Sequence, residues 1–263
     1  MTLAGKRVCR FIVAPVVAIA LVVPTGARPA HAIDLTTIIT VVSAVGKLFD
    51  AIKGFRSGGK SIDQATAEII SAVNASKTAI LAHADALAAA PARACTTAAV
   101  VELADIEAFT TDTMQQWAQT VTSCATLIDS LHRTVVDKAV ADQLGFALNV
   151  VGPIALLARD RAALGIDALR LVLTDSNVVL QTKLEPACSV VTFSQLGTRS
   201  VLITRCIPYP GSVEGRTHCL SGSPHCGNTI LKQTARRDAL SMTSWAAADI
   251  ALAALATIPA TGS

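Results

Sequence analysis

Between residues 114 and 135 a set of apolar side chains falls at Met114, Trp117, Val121, Cys124, Ile128, Leu131 and Val135. The steps alternate three and four, which keeps all of them on one stripe of an α-helix. A strand cannot gather that set on one face, because its side chains alternate with a period of two. The stripe requires a facing helix, so much of this chain must be a helical bundle. Cys124 lies on the stripe and therefore points at that partner rather than at solvent. Aromatic residues make up only 3% of the chain, so the core must be built from Leu, Ile, Val and closely packed Ala.

Other segments share the helical period. Leu35, Ile38, Val42, Val45, Phe49 and Ile52 mark a helix over residues 33–55. Ser61 with Gln64 forms a capping box that opens a second helix, with Ile62, Ile69, Val73, Ile80 and Leu87 as its stripe. His83 falls on that stripe and reads as a buried, hydrogen-bonded histidine. Pro91 closes this segment, a third helix covers Thr96 to Phe109, and Thr110 to Asp112 cap the next. Residues 140–163 are helical again and almost wholly apolar from Leu144 to Ala158, with Gly152-Pro153 expected to kink or break them. This reads as a central buried helix. The competing reading is a membrane-inserting hairpin in which Leu144, Leu148, Val151, Ile154 and Leu157 meet lipid. A short helix is expected from Gly165 to Leu173.

The pattern then changes. Residues 188–193 and 201–207 are β-rich and joined by a turn about Gly197, which predicts a hairpin, with 178–180 as a third strand. Residues 208–228 are rich in Pro, Gly and Ser and read as a disulfide-held loop. A last helix is expected from Leu231 to Thr257.

The first residues describe an export signal. Lys6, Arg7 and Arg10 precede an apolar run from Phe11 to Val23, then Pro24-Thr25-Gly26 and Ala30-His31-Ala32. Cleavage is expected after Ala32, because small residues at −3 and −1 suit signal peptidase. The segment carries Lys6, Arg7, Arg10 and Arg28. Taking those four from 22 leaves 18 basic against 19 acidic side chains, a formal charge of −1. The apparent basicity belongs to the signal, and nothing remains to favour nucleic acid.

Six cysteines follow the signal: Cys95, Cys124, Cys188, Cys206, Cys219 and Cys226. An even number in an exported chain implies disulfides. Local spacing favours Cys188 with Cys206 across the hairpin, Cys219 with Cys226 around a short loop, and Cys95 with Cys124 between neighbouring helices. A metal reading competes, because His218-Cys219 and His225-Cys226 repeat a His-Cys pair.

Gly54-Phe55-Arg56-Ser57-Gly58-Gly59-Lys60-Ser61 matches a phosphate-binding loop, but that loop needs a buried strand before it. An amphipathic helix precedes it here, so the glycines read as a helix–helix turn. No nucleophile elbow or His-Glu-x-x-His is present. Glu102, Asp105 and Glu107 read as a solvated helix face. No cofactor or metal site and no catalytic set is therefore assigned.

The stretches Ala75-Ser76-Lys77-Thr78-Ala79-Ile80-Leu81, Asp129-Ser130-Leu131 and Gln143-Leu144-Gly145-Phe146-Ala147-Leu148-Asn149, with Cys95 between them, resemble secreted alanine-rich helical proteins of actinobacteria. The resemblance covers about half of the chain after the signal. It implies a high-GC bacterial source and carries no activity.

The expected fold is mainly α: a bundle of long antiparallel helices with a small disulfide-stapled β-hairpin region near the C-terminus. The expected organisation is a signal peptide over 1–32, the bundle over 33–175, the hairpin and loop over 176–230, and a C-terminal helix over 231–258 packed on the bundle. The expected role is a secreted non-enzymatic protein that binds an extracellular protein, a glycan or a membrane surface. The alternatives are a membrane-active, toxin-like protein and a secreted enzyme using His218 or His225.

Overall fold

The computed structural model describes residues 35–194, 200–220 and 228–259. The expected export segment, the hairpin tip, His225 and Cys226 lie outside these residues. Within them the fold is mainly α, with eight α-helices and a three-stranded antiparallel sheet toward the C-terminus. The helices are α1 (Leu35–Arg56), α2 (Ile62–Ala86), α3 (Ala90–Glu102), α4 (Thr111–Thr134), α5 (Lys138–Arg161), α6 (Asp167–Lys183), α7 (Asn228–Leu240) and α8 (Ser244–Leu255). The strands are β1 (Ala187–Ser194), β2 (Ser200–Ile207) and β3 (Gly215–Leu220), in the order β1-β2-β3.

Helix α5 is the axis of the bundle and touches α1, α2, α3, α4, α6 and α8. Leu144, Leu148, Val151, Ile154 and Leu157 are each at most 1% exposed. Burial of each such side chain contributes about 1.5–3 kcal/mol. Gly152-Pro153 does not break the helix. Pro153 removes one backbone donor, but α5 runs on unbroken from Lys138 to Arg161, with other helices packed around it. Gly152 lets Leu173 approach so closely that an added Cβ would lie 2.9 Å from its Cδ2.

The seam of α4 packs as its spacing requires. Met114, Trp117, Val121, Cys124 and Ile128 are buried, and Cys124 is bridged to Cys95 on α3 with Cα atoms 5.6 Å apart. The capping box at Ser61 is formed. Gly58, at φ +76°, turns the chain out of α1, and Lys60 pairs with Glu68. The glycine-rich segment is thus a helix–helix turn.

Four element boundaries differ from expectation. Pro91 opens α3 rather than closing α2, because its fixed φ suits a first helical turn; Leu103–Ala108 then tighten into a 3₁₀ turn. Residues 178–180 are helical, since Leu169, Leu173, Ser176, Asn177 and Leu180 share the buried side of α6. The boundary drawn at 175 falls inside that helix. The third strand is instead β3, within the expected loop. The last helix is two, divided where Thr243 accepts from the Trp245 N–H and caps α8.

Candidate functional site

The turn after β2 meets the bundle at a buried polar junction. Asp142 is in the first turns of α5 and is buried. Its Oδ1 accepts from the Ser244 N–H at 2.6 Å and the Ser244 hydroxyl at 2.7 Å. Its Oδ2 accepts from the Tyr209 hydroxyl at 2.5 Å. Burial pushes the Asp142 carboxyl above its ordinary range, against the pull of these hydrogen bonds. Burial and the facing carboxylate push the Tyr209 phenol upward, so it stays a donor. Gly145 makes room for this arrangement: a Cβ there would lie 2.4 Å from Ser244 Oγ.

Above the junction an open groove of about 790 Å³ runs between the start of α5 and the turn after β2. Ile207, Pro208, Tyr209 and Pro210 give it an apolar wall, and Lys138, Arg205 and Glu214 line its charged side. These charges are held in place. The Lys138 ammonium donates to the Glu185 carbonyl at 3.0 Å, and Glu214 pairs with Arg205 and Arg216. Nearby, Arg236 grips Glu185 with two hydrogen bonds of 2.7 and 2.6 Å, which holds that carboxyl below its usual range. The Arg236 guanidinium also lies 5.6 Å from the centre of the Trp245 ring.

The histidines are placed apart. His83 is buried, with Nε2 3.0 Å from the Gln143 carbonyl, and burial lowers its pKa. His132 is fully buried, with Nδ1 3.4 Å from Ser176 Oγ. Burial and the Lys183 charge bring it down to about 4. Lys183 lies there because its ammonium donates to the carbonyls of His132, Arg133 and Val135 at the C-terminal end of α4. His218 is exposed on β3.

Glu102, Asp105 and Glu107 are exposed, and Glu107 pairs with Arg161. Among the described residues no group of three or more His, Cys, Asp and Glu could hold a metal. Cys188 and Cys206 form a disulfide across the hairpin. Cys219 is disulfide-bonded too, which denies its thiolate to a metal.

The junction and groove were not foreseen. Asp142 is separated from Tyr209 by 67 residues and from Ser244 by 102, so no local spacing joins them. The available signals were an acid on an apolar helix face and the chain's one tyrosine, set in Pro-Tyr-Pro-Gly. Comparison with protein-family models, curated proteins and solved structures finds no match for this chain.

Proposed function

We propose that this chain is exported by its first 32 residues, cleaved after Ala32, and acts outside the cytoplasm by binding a protein or glycan partner rather than by chemistry. The resemblance to secreted actinobacterial proteins belongs to the same reading. The observation that carries it is the groove beside Tyr209: an apolar wall and pinned charges on a surface stapled by a disulfide. Such a surface is suited to recognition, because its side chains lose little freedom when a ligand arrives. His83, His132 and Asp142 by contrast are buried away from any ligand. The test is binding of the disulfide-bonded protein to extracellular proteins and polysaccharides, compared with Ala139→Trp, which fills the groove. The expected result is saturable binding that Ala139→Trp weakens at least tenfold. Equal binding by both proteins, or turnover of a substrate, would sink the reading.

A second reading, a membrane-active protein, is favoured by α5. It is long and apolar enough to cross a membrane and is sheathed by other helices. Against it stand the polar groups that α5 would carry into lipid: Asp142, and Asn149 hydrogen-bonded to Asn177 at 2.8 Å. Dye release from anionic vesicles at low protein-to-lipid ratio would move this reading to first place; no release and no vesicle binding would remove it.

A further inference from the structure

The two faces of the sheet differ in kind. One is covered by α7. Cys188 and Cys206 pack with Ala235 and Ala239 on that helix, and the Thr217 hydroxyl donates to the Leu231 carbonyl at 3.1 Å. Gly215 lies so close to the Ala235 carbonyl that a Cβ there would overlap it. Side chains alternate along a strand, so the other face takes Val191 from β1, Ile203 and Arg205 from β2, and Arg216, His218 and Leu220 from β3. The register sets them in rows. Val191 is opposite Ile203, Ile203 is opposite His218, and Arg205 is opposite Arg216. Val191 is 41% exposed and Leu220 49%, so this face shows aliphatic and cationic side chains together.

Like charges directly opposite each other on a sheet repel. Arg205 and Arg216 are such a pair, and they share a single carboxylate, since Glu214 ion-pairs with both. The Glu214 side chain is largely covered, while both guanidinium groups are exposed. The face therefore presents a surplus of positive charge. At its foot, across the groove, Asp137 and Lys138 add one charge of each sign. The surplus belongs to a larger asymmetry. Residues 176–243 carry seven Lys and Arg against three Asp and Glu, a formal +4, whereas residues 33–175 carry eleven against fifteen, a formal −4. Positive charge is concentrated in the sheet with α7, and negative charge in the bundle.

We infer that the face of the sheet opposite α7 docks on an anionic phospholipid surface, with Arg205 and Arg216 among the phosphates and Val191, Ile203 and Leu220 against the boundary of the acyl chains. Charge selects this occupant first. An extended negative plane attracts the sheet end of the molecule and repels the bundle, which orients the chain sheet-first. Composition selects it second. Guanidinium groups pair bidentately with phosphate oxygens, and aliphatic side chains beside them suit the shallow layer between headgroups and acyl chains. A free phosphate would satisfy the arginines and leave the aliphatic row in water. Docking of this kind is superficial. It leaves α5 sheathed in the bundle, so it differs from insertion of that helix and gives binding without leakage.

Flotation of the exported, disulfide-bonded chain with phosphatidylcholine vesicles, with or without about 30% phosphatidylglycerol, tests this. The expected result is binding at least about tenfold tighter to the anionic vesicles, with no release of trapped dye. Raising salt from about 0.05 to about 0.5 M weakens it. Arg205→Gln with Arg216→Gln weakens it by at least about tenfold, near fivefold for each charge. Val191→Ser, which leaves every charge in place, weakens it by about threefold and keeps the salt dependence. Lys47→Gln with Lys53→Gln removes two exposed cations from the bundle instead and leaves binding unchanged. Equal binding to neutral vesicles, no binding to either kind, indifference to Val191→Ser, or an equal loss from the Lys47 and Lys53 pair overturns the proposal. Dye release in step with binding overturns it too, and points to α5. Competition by inorganic phosphate at matched ionic strength would mark a site for a free anion. Polyglutamate bound as tightly, with the same dependence on Arg205 and Arg216, would mark an acidic protein partner. Either result overturns the proposal as well.

Discussion

The bundle and the sheet are held together by different means. Around α5 the restraint is burial: its residues from Leu144 to Ala158 are all buried, and side chains from six helices close on them. In the sheet, Thr204, Cys206 and Gly215 are the buried strand residues among those described, and Val190, Val191 and Leu220 stay largely exposed. What fixes the sheet is covalent and directional: the Cys188–Cys206 bridge, the close contact with α7, and the Tyr209 hydroxyl on Asp142. A region rich in nonspecific burial tolerates local imperfections such as Pro153. A region with little burial depends on a few particular bonds, and losing one of them has a local effect.

The largest expected effect is in the bundle. Leu148→Ala should lower unfolding stability by about 2–5 kcal/mol, since it leaves a cavity in a fully buried site. Val213→Ala, next to the sheet and 45% exposed, should change it by less than about 0.5 kcal/mol. Urea midpoints check both, and equal losses would erase the contrast. Next comes Cys188→Ser with Cys206→Ser. The bridge spans 18 residues, so its removal should cost about 3 kcal/mol of restraint. Amide exchange should speed up in β1 and β2 while α4 and α5 keep their protection. Simultaneous loss of protection in α5 would show that the two regions unfold as one.

The same contrast explains what the sequence revealed. The α4 seam and the α5 core were legible because burial writes itself into local periodicity. The helix caps at Ser61 and Thr110 were legible because they are local chemistry. The sheet was only partly legible. The turn about Gly197 and the two flanking cysteines announced the hairpin, but β3 is six residues in a stretch that reads as loop. Its partner β2 decided its conformation. Residues 178–180 have the composition of a strand, yet Asn177 is drawn into the bundle by Asn149 and Leu180 is buried against its neighbours. Tertiary contacts overrode propensity there. The groove was illegible for the same reason as the Asp142 junction, because its walls come from segments far apart in the chain.

A smaller effect tests how the regions are joined. Asp142→Ala leaves the Ser244 N–H, the Ser244 hydroxyl and the Tyr209 hydroxyl without their acceptor. The expected loss is about 1–3 kcal/mol. Amide exchange should quicken in the 208–212 turn before it does so in the middle of α5. Tyr209→Phe removes only the link to the turn and should show the same local signature with a smaller stability change. If Tyr209→Phe left the turn as protected as before, the junction would not be what anchors it.

The smallest effect concerns pH and lies within the bundle. Burial lowers His83, and brings His132 down to about 4 from an ordinary 6.5. Between those values the unfolded chain binds more protons than the folded one, so these groups make stability rise with pH. Asp160 acts in the opposite sense. Burial raises it from 3.8 to about 6 despite Arg56, whose Nη1 is 3.3 Å from Oδ1. Its Oδ2 is buried without a hydrogen-bond partner, so the protonated form is favoured. The folded state therefore holds a proton that the unfolded chain releases, and this contribution is lost as pH rises to about 6. Asp142 is raised as well and has the same sign. The wild-type protein should accordingly show a shallow pH profile across this window, with two histidines working against two carboxyls. Asp160→Asn removes one falling contribution and should make stability climb more steeply from pH 4 to pH 6, as read from urea midpoints. Parallel profiles for the two proteins would mean that Asp160 is ionised throughout, and that the Arg56 ion pair outweighs the burial of its carboxylate.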